Sequence, residues 1–426
     1  MKSLPVLSSN TQLGIQQQLR KLYKRIVEYS GIIPDLRFNN TSYQGLRNYL
    51  DPIHRRCEKV EFGVGSYTHG ATALTGAYRG GVYSPIQNRI YMVPAIQAPQ
   101  PNWHYLDCNT VEVVAYANGL GVPAHIWAYT GGCYSPTQNR IYFAPNEQAL
   151  ETNWHYIDCN TGEVVAYAHG STTLVNFAYH GCIYSPTQNR IYFIPNAQSA
   201  ETKWHYIDCD TGDVVEYEHG LTVPWFAYNS GVYSPTQNRI YMVPDGQAPL
   251  PIWHYIDCDT GDVVEYNNNL TVPADTYEGG VYSPIQNRIY FVPYTGANKD
   301  TWHYIDCNTG DVVIYNVTSS LPEQFAYVGG VYNPTQNRIY LVPFGQSDES
   351  TWHYIDCNTG EVVAYEHGVT IVGNNAYYGG IYSSSQNRIY FIPAFEADKP
   401  VWHYIQDYSD VKVSRSLMSG PMFNKL

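Results

Sequence analysis

Charged side chains are scarce in this 426-residue chain, at 14% of the total. No run of about 18 apolar residues occurs, which excludes a membrane-spanning helix. The opening, MKSLPVLSSNTQLG, has no hydrophobic core of signal-peptide length, so ordinary secretion is not expected. Also absent are a G-x-S-x-G elbow, an H-E-x-x-H pair, a P-loop and any C-x-x-C. No reaction is therefore expected. Helical spacing is missing from about residue 67 to 415. What is abundant is tyrosine, at 42 residues, within a hydrophobic fraction of 44% that is ample for a core.

Charge is unevenly spread. Residues 1–66 hold 10 Lys+Arg against 5 Asp+Glu, whereas the rest holds 14 against 32. A body this acidic is unsuited to gripping nucleic acid, whose phosphates are held by clustered Lys and Arg. Within the basic head, Leu19, Leu22, Ile26 and Tyr29 share one side at helical spacing, and Gly31 with Pro34 stops the helix. Residues 1–58 thus read as a mainly helical extension.

A repeat dominates the remainder. Q-N-R-I-Y recurs seven times, with its Arg at Arg89, Arg140, Arg190, Arg239, Arg288, Arg338 and Arg388, spaced by 49 to 51 residues. W-H-Y follows each time, at Trp103, Trp154, Trp204, Trp253, Trp302, Trp352 and Trp402. Every unit reads as four short strands rich in Val, Ile, Tyr and Trp. In the third unit these lie near 178–184, 190–195, 204–209 and 214–219. Tight turns separate them at Pro186–Asn189 and at Asp210–Gly212, where Gly supplies a positive φ. Such a unit, repeated seven times, predicts an all-β fold, a seven-bladed β-propeller over 59–415 with a tail at 416–426. An open solenoid would need caps that the sequence does not show.

The unit GGVYSPTQNRIYFVP…WHYIDCNTGEVVAY resembles the blade of YVTN-type and WD40-like propellers, with an inner strand ending in S-P and an I-D-x-x-T-G hairpin. The W-D ending of WD40 units is missing, so that family's partner rules do not transfer. The near-verbatim reiteration also resembles tandem-repeat proteins of mimivirus-like giant DNA viruses, which implies a virion component or a protein of the infected cytoplasm.

Ring closure has two candidate strands. After Trp402–Ile405 the seventh unit departs from the others, and its outer strand is either Val411–Val413 or the early segment Lys59–Phe62. With the usual strand order, the S-P-T-Q-N turns and the D-C-N-T-G hairpins share one face and hardly vary. The loops of the opposite face vary at nearly every position, which is where a rigid scaffold places binding. They carry the candidate binding residues Trp127, Trp225, Phe226, Phe344, Phe395, Glu147, Asp245 and Asp348. An acidic face with aromatics suits a basic protein partner or a glycan, the latter held in several similar pockets.

The remaining recurrent residues read as architecture. Six Cys recur at one blade position, from Cys108 to Cys357, too far apart for bridges and suited to apolar packing. Cys133 and Cys182 read as replacements for an inner-strand Val or Ile. The seven His of W-H-Y are expected between blades as hydrogen-bonded structural groups. The seven Arg pair with the Asp of I-D-C, and no blade is expected to differ chemically from the rest. Neither a metal nor a cofactor is called for. The expected function is a non-enzymatic interaction or structural protein, cytoplasmic or virion-borne, that binds a protein partner through the variable-loop face or the N-terminal extension, with a lectin-like propeller and an enzyme at the channel mouth as alternatives.

Overall fold

A computed structural model describes residues 62–407, apart from 120–124, 149–150, 171–173, 199–200, 271, 321, 370–372 and 374. The expected head helix and the segments Lys59–Glu61 and Val411–Val413 lie outside the described residues. Among the described residues there is no helix. All regular structure among the described residues lies in seven antiparallel sheets of four strands.

Blade one sets the pattern: Tyr78–Ser84 innermost, then Arg89–Pro94, Asn102–Asp107 and Glu112–Ala117 at the rim. The innermost strands of neighbouring blades pack against one another around the whole ring, including blade seven against blade one. The second strand is buried on both sides, with Ile90, Tyr91, Met92 and Val93 all buried. Sandwiching between two neighbours explains why it reads as a continuous apolar run instead of an alternation. The rim strand, covered on one side only, alternates exposed and half-buried residues.

The core is a set of layers between blades. At the first junction, Val82, Tyr91 and Trp103 of blade one meet Tyr129, Ile141, Phe143 and Cys159 of blade two. The Trp103 and Phe143 rings meet edge to face at 5.9 Å, and the pattern repeats at Trp154–Phe193, Trp253–Phe291 and Trp352–Phe391. The recurrent Cys are free thiols buried in these layers, and burial lifts Cys159 to about 11. Cys182 does not stand at the Val position. It pairs with Phe193, at the register position where each of the other six blades places Gly, and its thiol lies against Cys133 across one junction.

Polar repeats are paired. Each blade joins the first Tyr of its inner strand to the W-H-Y imidazole Nδ1, at 2.6 Å for Tyr129–His155 and Tyr277–His303. In the first six blades the repeat Arg stands opposite an Asp in register, and Arg89 Nε lies 3.6 Å from Asp107. The stacking partner is a tyrosine: every guanidinium lies over the W-H-Y ring of its own blade, at 4.2 to 4.4 Å. Blade seven confirms the ranking of the two contacts. Arg388 faces Gln406, not Asp, and still stacks on Tyr404.

Closure uses the early segment, displaced from the expected one. Phe62–Thr68 pairs antiparallel with Val401–Asp407 as the outer strand of blade seven. Only Phe62 of the expected Lys59–Phe62 belongs to it among the described residues, and its ring meets Tyr340, Tyr354 and Tyr365 of blade six edge to face.

Near the axis the inner strands almost touch. In all seven blades the register of the first two strands slips within the first four inner residues, as between Tyr78 and Gly81. A glycine follows the slip, and a Cβ on Gly131 would stand 3.1 Å from Gly181 Cα, at a φ of 77° that side chains disfavour. Gly131→Ala should therefore push two inner strands apart. A loss of about 1–3 kcal/mol is expected in urea unfolding.

Candidate functional site

The register slip turns one residue of each blade toward the axis. These residues are Arg79, Thr130, His180, Asn229, Glu278, Val328 and Tyr378, and no two are alike. The expectation that no blade differs chemically is thus overturned, because the inner strands, otherwise near-identical, differ where they face one another. Together with the glycine ring they line an open cavity of about 220 Å³ at the end of the channel nearest the variable loops.

Its groups are already joined. The Tyr378 hydroxyl donates to Glu278 Oε1 at 2.6 Å, and Asn229 Nδ2 donates to Oε2 at 3.0 Å. His180 Nδ1 lies 2.8 Å from the Asn229 carbonyl oxygen, which can only accept, so the proton sits on Nδ1. Nε2 keeps its lone pair, 3.3 Å from the Tyr378 hydroxyl. Burial, helped by the Arg79 charge, lowers His180 to about 4 and keeps the ring neutral. Burial raises Glu278 to about 7; the Tyr378 hydrogen bond and Arg79 oppose that rise, and the Asp275 charge adds to it. The Arg79 guanidinium carbon lies over the Trp127 ring at 4.3 Å and over the Tyr378 ring at 5.1 Å. It makes no hydrogen bond or ion pair among the described residues.

A second ring surrounds the mouth, two residues before each inner-strand Tyr: Gly76, Trp127, Phe177, Phe226, Asp275, Phe325 and Asn375. All seven have φ between 55° and 72°. For bulky side chains this conformation costs about 1–3 kcal/mol each and persists only when its surroundings dictate it. Backbone hydrogen bonds do so here. The Phe325 N–H donates to Tyr294 O of the preceding blade at 2.9 Å, and the Phe325 carbonyl accepts from Gly345 N at 2.8 Å. Trp127 and Asn375 are stitched the same way.

The eight loop residues expected on this face divide. Trp127, Phe344 and Phe395 border a small cleft beside Arg79 and Tyr378. Phe226 belongs to the collar with Trp225 beside it, and these two are 43% and 49% exposed. The acidic part of the expectation does not converge there. Asp245 is buried, accepts from the Asp275 N–H at 3.0 Å and is pushed well above the usual carboxylate range by burial and by Asp275. Glu147 is half-buried, and Asp348 is exposed on a loop further out. Several equivalent glycan pockets are not found among the described residues. One asymmetric pocket lies on the axis.

The seven axial residues were missed by sequence reasoning, although a signal existed. Aligned on the tyrosine, the units read AYRGG, AYTGG, AYHGC, AYNSG, TYEGG, AYVGG and AYYGG. One position varies without restraint inside a constant frame. Among the described residues, no group of three or more His, Cys, Asp or Glu is placed to hold a metal ion.

No family model matches the chain, and no curated protein matches it. Among solved structures it is similar to the extracellular domain of a hybrid two-component system from B. thetaiotaomicron, with a TM-score of 0.51 at 8% identity. The match covers 79% of this chain and 39% of that one, so the chain spans about two-fifths of its length. At that identity the likeness shows the propeller fold and nothing finer. No helix among the described residues is long and apolar enough to cross a membrane.

Proposed function

We propose that this protein is a non-enzymatic interaction protein that grips its partner at the axial mouth of the loop-rich face. One observation carries the reading: seven near-identical blades differ in all seven residues that meet on the axis. A purely architectural ring has no use for such differences, since repeated packing favours repeated residues. Exposed aromatics around a polar centre suit recognition of a projecting group, with the rings excluding water from the hydrogen bonds inside. The setting that accords with the giant-virus resemblance of the repeats is a virion or the infected cytoplasm.

Val328→Trp tests the reading, because it fills the cavity from the one axial position that offers no polar group. Crosslinking mass spectrometry in the native setting should give one abundant partner joined to the loop-rich face. The variant, checked for an unchanged circular dichroism spectrum, should lose at least nine-tenths of those crosslinks. Unchanged crosslinks, or crosslinks from the opposite face, would refute it.

A second reading, acid–base catalysis, is favoured by one pair of groups. Glu278, raised to about 7 and hydrogen-bonded to Tyr378, is poised to exchange a proton near neutral pH. Turnover of a bound ligand that stops in Glu278→Gln would establish it.

A further inference from the structure

We infer that the axial pocket takes an acidic sugar, a uronate residue whose carboxylate is held by Arg79. The inference rests on the reading that the axial mouth is the binding site, and it names what enters.

The argument begins with the one cation of the pocket. Arg79 is held over the Trp127 and Tyr378 rings, yet none of its donors reaches an acceptor among the described residues. A guanidinium fixed by stacking keeps its planar fork free and already ordered, the arrangement that binds a carboxylate through two parallel hydrogen bonds. The remaining groups ask for hydroxyls. His180 Nε2 faces the Tyr378 hydroxyl at 3.3 Å, but that hydroxyl spends its proton on Glu278, so the Nε2 lone pair can accept from a ligand hydroxyl. Glu278 accepts from Tyr378 and Asn229, and its unused lone pairs can take further donors. A ligand with one carboxylate and several hydroxyls satisfies all of them.

Size and surroundings agree. A cavity of about 220 Å³ admits one sugar ring and excludes a folded segment. Phe177, Phe226 and Trp225 stand exposed around the entrance, where flat apolar faces can stack against the C–H faces of adjoining sugar units. A basic protein side chain is disfavoured because Arg79 would meet it as a like charge. The chain's net charge of −13 weakens long-range attraction for an anion, but beyond about 10 Å salt screens that field, and the contact is local.

The test is calorimetric titration of the full chain with trigalacturonate, maltotriose and glutamate, on wild type, Arg79→Gln and Val328→Trp. Trigalacturonate should bind at least tenfold more tightly than maltotriose. Arg79→Gln should bring the two together while leaving thermal unfolding in place, since no hydrogen bond of the fold is lost with it. Equal affinity for the two sugars in wild type, tighter binding of glutamate, or indifference to Arg79→Gln would each overturn the inference. If no uronate binds while partner crosslinks still vanish in Val328→Trp, the ligand class falls and the axial mouth stands. If Val328→Trp changes neither, the mouth itself is refuted.

Discussion

Taken from pH 7 to pH 4, the propeller is expected to unfold. Its blades share a buried imidazole, and burial lowers His104, His205, His254, His303 and His403 to about 4 and lowers His353 as well. Each Nδ1 is engaged by a tyrosine hydroxyl whose own pKa burial holds well above the ordinary value, so the tyrosine donates and the imidazole accepts. A protonated ring loses that acceptor. Unfolded histidine titrates near 6.5, so the contribution is complete above pH 6.5 and is lost as pH falls through 4. Each unit of depression corresponds to about 1.4 kcal/mol. Summed around the ring, the loss is of the order of the roughly 5–15 kcal/mol that holds a typical domain together. Glu278, raised to about 7, works in the opposite direction: its ionisation costs stability as pH rises from the unfolded value toward 7, and acid removes that cost. Asp245, also raised, does the same, but two carboxyls do not offset a ring of imidazoles. Urea midpoints measured from pH 7.5 to 4 should fall steeply below 6.5. A midpoint equal at pH 7 and pH 4.5 would rule the mechanism out.

The second large effect is loss of the closing strand. Replacing Phe62–Thr68 by a Gly-Ser segment of equal length leaves blade seven with three strands and opens Val401–Asp407 as an unpaired edge. It also removes Phe62 and Val64 from one inter-blade layer and Tyr67 from the next. A fully buried Phe reduced to Ala costs about 3–5 kcal/mol; the three anchors here are half-buried and contribute less each, but their loss together with a whole strand ladder removes a large part of the stability of the fold. Thermal unfolding should lose its cooperative transition, and the protein should aggregate on gentle heating. Gly65→Val is the milder form: its Cβ would stand 2.5 Å from the Tyr404 ring and displace the platform on which Arg388 lies. If the replaced chain melts like wild type, the closure is not what holds the ring.

Fold and site were unequally legible in the sequence. The blade count, strand order and packing of the repeated Trp and His follow from period and composition, because residues buried between identical neighbours must themselves repeat. The Arg was harder. Its register against Asp was readable, but a flat ring one strand over is a stronger partner than a half-exposed carboxylate, and only side-chain packing reveals that. Closure was narrowed to two strands and no further, since both candidates are short runs that alternate charged and apolar residues. The site was missed for the opposite reason. Attention went to loops that differ in length and composition, whereas the axial residues sit inside the most regular strand, where a register slip redirects one side chain per blade. Trp127 and Phe226 were found because they are large. Arg79, His180 and Glu278 were passed over because each is a single exception in a constant frame.

The pairing of Phe62–Thr68 with Val401–Asp407 also fixes a timetable. The two strands are separated by more than three hundred residues, and a ribosome adds roughly 5–20 residues each second. The first strand of the ring therefore waits on the order of tens of seconds for its partner to be made. Six blades can assemble one against the next as they emerge, each needing only the blade before it. Until the last strand is released, the nascent propeller is an open arc with a bare ladder at either end. In the cell, those seconds are when this protein most needs a chaperone.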